Sequence, residues 1–322
     1  MAYQNIKVPR FYINAVELMG ILNDIQFPKV YYTLPVNVAN PATSQEISFP
    51  DGLLGENCFM AILGHTIPDS NTGRYRLRSA TSTTDLAWVE LSPLVNAGLS
   101  GTLPSPQYDG FSISTFDGTG AIMLQPKDMG SEYMGSLILG TYYDMPNAPN
   151  LSLTMSREYG STKEFTTYNG SSMSNTMWNK PPQWGSLGAW ELDDGTSTTQ
   201  ALSRSGRKIW DMKFSFMSDS DLWGPNQMLG KYRIDTTDGT DGGDVDDDEF
   251  NYNILTDDNF FSQVWHKTLG GTLPFIFQPD GGTNGNNNPD QFAICRFVDN
   301  SLKATQSAFN VYDISLSIEE VW

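Results

Sequence analysis

The chain has 322 residues and a mass of 35.7 kDa, enough for one large domain or two ordinary ones with apolar cores of their own. It carries 37 acidic against 19 basic residues, a net charge of −18 and a pI near 4.3, a balance that repels nucleic acid and anionic membrane. Charged residues are only 17% of the chain while aromatics reach 12%, which excludes an acidic disordered protein and suits a folded one that buries Tyr and Trp against partners.

The N-terminal stretch MAYQNIKVPRFYINAVELMGILNDI has no cationic segment followed by an uninterrupted apolar run, because Glu17 breaks it. No secretory signal is expected there, and a short helix is expected over 14–23. Nowhere do eighteen apolar residues follow one another, so no membrane-spanning helix is expected. Cys58 in CFMAIL and Cys295 in FAICRF sit in apolar runs far apart, and both read as buried free thiols.

RYRLRS (74–79) alternates, with Tyr75 and Leu77 opposite Arg74, Arg76 and Arg78. Two prolines and two asparagines in YYDMPNAPNL (142–151) mark a boundary between strand-like runs, dividing the chain into 1–146 and 147–322. KIWDMKFSFMS (208–218) places Trp210, Met212, Phe214 and Phe216 on one side of a strand.

A helix is expected over about 257–269, where Phe260, Phe261, Val264 and Trp265 recur at helical spacing and Gly270–Gly271 stop it. TNGNNNPD (283–290) reads as an exposed loop in a hairpin between LPFIFQP and DQFAICRF. VYDISLSIEE (311–320) sets Tyr312, Ile314, Leu316 and Ile318 against Asp313, Ser315, Ser317 and Glu319. With no internal repeat visible, the expected class is mostly β: two β-sandwich-type domains, the second with one short helix.

Candidate chemistry is sparse. DGTDGGDVDDDEF (238–250) holds seven carboxylates, and no Lys or Arg lies between Arg233 and Lys267. A calcium loop needs oxygen ligands at positions 1, 3 and 5, Gly at 6 and Glu at 12. Counting from Asp238 puts Gly243 and Glu249 in place but Thr240 and Gly242 at ligand positions. Counting from Asp244 gives Asp244, Asp246 and Asp248 as ligands, followed by Glu249 where Gly belongs. Those three aspartates are the candidate Ca²⁺ ligands, while the absence of any local base favours a hydrated or interface-facing loop.

His65, after an apolar strand, and His266, near the helix end, are the two histidines, and no Gly-x-Ser-x-Gly accompanies them. Glu158, Glu164 and Glu191 lie near aromatics, as paired carboxylates of polysaccharide-degrading enzymes do, though acids near aromatics are the rule in this composition. Trp178, Trp184 and Trp190, six residues apart around Pro181–Pro182, form the candidate carbohydrate-stacking segment. The same segment reads first as a packing surface for a neighbouring domain or subunit. No cofactor is expected beyond that calcium.

Two stretches carry a resemblance. CFMAILGHTIPDSNTGRYRLRSATS (58–82) and AIMLQPKDMGSEYMGSLILGTYYDMP (121–146), with the glycine-bounded run Gly135–Gly140, resemble a galactose-binding-type β-sandwich of tailed-bacteriophage virion proteins. The second half is similar to tail and baseplate structural proteins: Arg-Lys-x-Trp-x-Met-x-Phe (207–214), a helix, LGGTLPFIFQPD (269–280), then a strand ending in acids. The resemblance implies a non-enzymatic virion component, assembled in the host cytoplasm into a symmetric homo-oligomeric ring with other virion proteins. It also leaves room for a host glycan as ligand, through the tryptophan segment.

Overall fold

The computed structural model describes residues 6–19, 36–37, 47–48, 55–63, 74–79, 89–90, 112–116, 121–127, 133–134, 136–158, 162–176, 183–184, 187–188, 207–223, 257–281 and 291–321. Within them the chain is mostly β with short helical pieces, as its alternation predicts. Ten strands make one large sheet. In chain order they are β1 (Arg10–Asn14), β2 (Cys58–Leu63), β3 (Ser112–Phe116), β4 (Ser136–Asp144), β5 (Thr154–Glu158), β6 (Arg207–Ser218), β7 (Phe275–Gln278), β8 (Ala293–Phe297), β9 (Ala304–Ala308) and β10 (Val311–Glu320). In space they run β5-β6-β10-β8-β7-β1-β4-β2-β3, with β9 pairing on β10.

Every pairing in this sheet is antiparallel. β1 lies between β4, which it meets from Arg10↔Asp144 to Asn14↔Gly140, and β7, which it meets from Arg10↔Gln278 to Ile13↔Phe275. The 146/147 boundary falls just after β4, and the sheet carries strands from both sides of it. A smaller four-stranded sheet orders Ile47–Ser48, Ala121–Lys127, Arg74–Ser79 and Val89–Glu90.

Alternation explains how β1 serves two cores. Phe11 and Ile13 point to one face and join Trp210, Met212, Phe214, Phe260, Trp265, Phe275, Phe277 and Phe297. Tyr12 points to the other and joins Phe59, Ala61, Ile138, Ile276, Phe292 and Ile294. Both faces of the central strands are therefore apolar, as in sheets covered on each side. Each buried large side chain contributes about 1.5–3 kcal/mol relative to an exposed one. Phe11 sits at the centre, with the Phe275, Phe277 and Phe260 rings at centroid distances of 5.4, 5.3 and 5.9 Å.

Gly140 is required where β1 turns into the short helix Ala15–Met19, because a Cβ there would overlap the Ile13 carbonyl oxygen. That helix is capped by the Asn14 side chain: its Oδ1 accepts from the Glu17 backbone amide (3.1 Å) and its Nδ2 donates to the Glu17 carboxylate (3.3 Å). The glutamate that breaks the apolar run is thus part of a cap.

Two local expectations change, and one buried carboxylate is added to them. In β6, Trp210, Met212 and Phe214 are buried as alternation predicts, but Phe216 is 79% exposed. Between Phe214↔Ile314 and Met217↔Tyr312, β6 uses one residue more than β10, a β-bulge that leaves Phe216 at φ 62° and gives Met217 the inward position. The helix predicted over 257–269 is a shorter π-helix, Phe261–His266, with Phe260, Val264 and Trp265 buried and Phe261 packed at the core margin.

Its first turn is capped by Asn259, whose side chain accepts from the Ser262 amide at 2.8 Å. Its last carbonyls are met by the Thr268 hydroxyl, 2.9 Å from the Val264 oxygen, and by the Gly270 amide on the Trp265 oxygen. Gly271, at φ 86°, closes the turn where a Cβ would lie 2.8 Å from Phe297 Cβ. Finally, the alternation of β10 continues one step past Ile318, so Glu320 is fully buried.

Candidate functional site

Four places in the described residues combine polar chemistry with an unusual environment. The first lies on β1, β4 and β7. Arg10 grips Asp144 with two parallel bonds, Nε to Oδ1 at 2.6 Å and an Nη to Oδ2 at 2.7 Å, across directly paired strand positions. Its guanidinium stacks 4.1 Å from the Tyr142 ring centre. Burial works against the Arg10 charge, but the Asp144 bond and the Tyr12 oxygen more than offset it, so the pKa moves up.

Tyr12 donates to Gln278 Oε1 at 2.8 Å, and its phenol is pushed up to about 12 by burial. Lys7 and the largely buried Asp280 close the edge of the cluster at 3.0 Å. All of these groups are locked to one another; they fix the register of three strands.

The second place is Lys267, which is fully buried. Its ammonium donates to Gln263 Oε1 (2.6 Å) and Thr141 Oγ1 (3.1 Å). Burial lowers its pKa to about 8, with Cys58 and Asp258 pulling it weakly back. Neighbouring His266 is lowered too, by burial and then by the Lys267 charge.

The third is a buried ion pair between β6 and β10. Glu320 Oε2 accepts from the Lys208 amide at 2.6 Å, and Oε1 lies 3.9 Å from the Lys208 ammonium. Burial raises Glu320 to about 7 against the attraction of Lys208, Arg157 and Arg207. The same burial, with Glu320 nearby, pushes the Cys295 thiol well up, so this cysteine is held protonated and poorly nucleophilic. Both cysteines are free and buried, as their apolar flanks predict.

The fourth place is exposed. β5 ends the sheet, pairs only with β6 among the described residues, and has all five residues exposed. Three residues further on begins the hairpin Thr162–Thr166/Ser172–Thr176, in which Phe165 and Met173 are direct cross-strand partners. These two are 50% and 55% exposed, and Tyr168 at the tip is wholly exposed. The tip is held by the Thr167 side chain, which accepts from the Ser171 amide at 3.1 Å, and by Gly170 at φ 79°.

The predicted site residues distribute as follows. Trp184 lies in the short strand Gln183–Trp184, paired with Leu187. Trp178, Trp190, Asp244, Asp246, Asp248, His65, Glu191 and the loop 283–290 lie outside the described residues. Glu158 is on β5 and Glu164 in the hairpin, both exposed. Among the described residues, no group of three or more His, Cys, Asp or Glu is placed to hold a metal ion. No described helix is long and apolar enough to cross a membrane.

Sequence reasoning missed the buried Lys208, Lys267 and Glu320. The signal for two of them was present: Lys208 shares the parity of Trp210, and Glu320 that of Ile318. No family model, curated protein or solved structure matches this chain.

Proposed function

We propose that this chain is a non-enzymatic structural component of a tailed-bacteriophage particle, in its tail or baseplate, acting through interfaces with other subunits. One observation carries the reading: a sheet packed on both faces at its centre ends, among the described residues, in a wholly exposed strand, and the separate hairpin that follows it in the chain turns apolar side chains to solvent. An exposed edge is a template for pairing with another chain.

The buried ionisable groups support the same reading, because Arg10, Lys208 and Glu320 are engaged in struts between strands. The surplus of 18 negative charges repels DNA and keeps unassembled copies apart until specific edges meet.

The test is mass spectrometry of purified particles from the source of this sequence, with negative-stain imaging of the purified full chain. The reading expects peptides of the chain in stoichiometric amount in particles and ordered oligomers of the pure protein. A chain absent from particles, or one that turns over a polysaccharide substrate, contradicts it.

A further inference from the structure

We infer that β5 is a homotypic docking edge: two copies of the chain join by antiparallel pairing of Thr154–Glu158 with itself about a two-fold axis at Ser156. The inference rests on the assembly reading and names its contact. Among the described residues no strand pairs with the outer edge of β5. The strand pairs with β6 residue for residue without a bulge and contains no proline. A bulge or a proline is among the devices that natural sheets use to block addition of a further strand, and β5 has neither; the one such device it carries is a pair of edge charges of opposite sign, Arg157 and Glu158.

Charge selects a second copy as the occupant. The chain as a whole carries −18, so most of its surface repels its own copies. From Leu151 to Thr176 the charge is zero: Arg157 and Lys163 balance Glu158 and Glu164. An isologous contact needs a patch that tolerates itself, and this one does.

In the two-fold register Thr154 faces Glu158 of the other copy, Met155 faces Arg157, and Ser156 faces Ser156. No like charges are opposed, the arginine stem lies along the methionine, and the smallest side chain sits on the axis. A basic protein would instead be drawn to the acidic remainder of the surface, and an acidic one would be repelled by it.

The hairpin supplies the apolar component. Two-stranded hairpins are marginal alone in water, and this one turns its Phe165–Met173 pair to solvent. Only residues 159–161 separate it from β5, so Thr162 lies within about 14 Å of Glu158, near enough for the hairpin to add apolar contact beside the paired edges. A two-fold contact closes on itself; within a ringed particle it joins one ring to another, because copies around a ring need a head-to-tail contact.

Cysteine pairing tests the register directly, since Cys58 and Cys295 are fully buried and do not compete. Residues opposite one another in antiparallel strands have Cα atoms about 4.5–5.5 Å apart, within disulfide reach. In the full-length chain under mild oxidation by glutathione disulfide, Ser156→Cys is expected to form a covalent dimer on a non-reducing gel. Glu158→Cys alone is expected to stay unlinked but to link when mixed with Thr154→Cys. Phe165→Ser is expected to weaken the non-covalent dimer at least about tenfold in sedimentation velocity, as loss of an apolar anchor does.

A chain that is monomeric at every concentration overturns the inference. So does a Ser156→Cys thiol shielded from maleimide in the dilute monomer, because the edge would then be covered by its own chain. A chain present in particles but neither dimeric nor linkable overturns this contact and leaves the assembly reading intact. A linked dimer of a chain absent from particles does the reverse.

Discussion

β1 and β5 are both five-residue antiparallel strands of one sheet, yet they hold opposite positions in it. β1, RFYIN, is paired on both edges and buries four of its five residues, sending Phe11 and Ile13 to one core and Tyr12 to the other. β5, TMSRE, is paired on one edge among the described residues and buries none. The backbone is the same; the side chains decide. Large apolar groups on both faces draw β1 inward, whereas the small and charged groups that predominate in β5 leave its side chains in water. The centre is built to be stable and the edge to be available.

The largest effect expected from this contrast comes from Phe11→Ala. It removes the ring that Phe260, Phe275, Phe277 and Phe297 surround, and it should cost about 3–5 kcal/mol in urea unfolding. A loss below about 1 kcal/mol would mean that the two halves of the sheet are not consolidated through β1.

Close behind is Glu320→Ala, which strands the buried Lys208 charge and should also cost about 3–5 kcal/mol. Replacing both partners together, Lys208→Met with Glu320→Leu, should recover most of that loss by the same measurement.

A smaller effect is the pH dependence of the same pair. Glu320 has a folded pKa of about 7 against 4.5 for the free side chain, so the folded state binds the extra proton between those values. Its contribution is fully present below pH 4.5 and is lost as pH rises through about 7, by about 3 kcal/mol. Comparing urea midpoints of the native chain and Glu320→Gln across that range should isolate the slope; parallel curves would refute it. Arg157, Arg207 and Lys208 face it, and the Cys295 thiol beside it is held well above its ordinary value by burial.

The smallest effect belongs to the edge. Phe165→Ala should change the stability of the dilute chain by less than about 0.5 kcal/mol, as surface substitutions do, because its ring is half exposed. A loss of the size expected at Phe11 would show that the hairpin belongs to the core after all.

How much of this was legible in the residues follows from their range of interaction. The alternation of 207–214 and of 311–318 named the buried face of β6 and β10, because strand parity is a local property. It failed at Phe216, where a one-residue bulge reverses the parity and no local residue announces it. At Glu320 the parity set by Ile318 holds for one further step, so a carboxylate follows the apolar face inward.

The helix was placed by Phe260, Val264 and Trp265, but its π geometry depends on how those rings fit Phe297 and Phe11, a tertiary matter. The position of β1 between β4 and β7 was not legible: its partners lie about 130 and 265 residues away, as the Arg10–Asp144 and Tyr12–Gln278 bonds record. The place of β5 at the end of the described sheet was equally silent, since TMSRE looks like any polar strand until its neighbours are known.

Amide hydrogen exchange along Thr154–Glu158, measured on the full chain over a range of concentrations, tests the contrast between centre and edge most directly. The account predicts that, in the dilute monomer, alternate amides of this strand exchange far faster than those of Phe11–Ile13 and become protected as copies associate. Slow exchange of the whole strand in the monomer, or free exchange that persists in the oligomer, would contradict it.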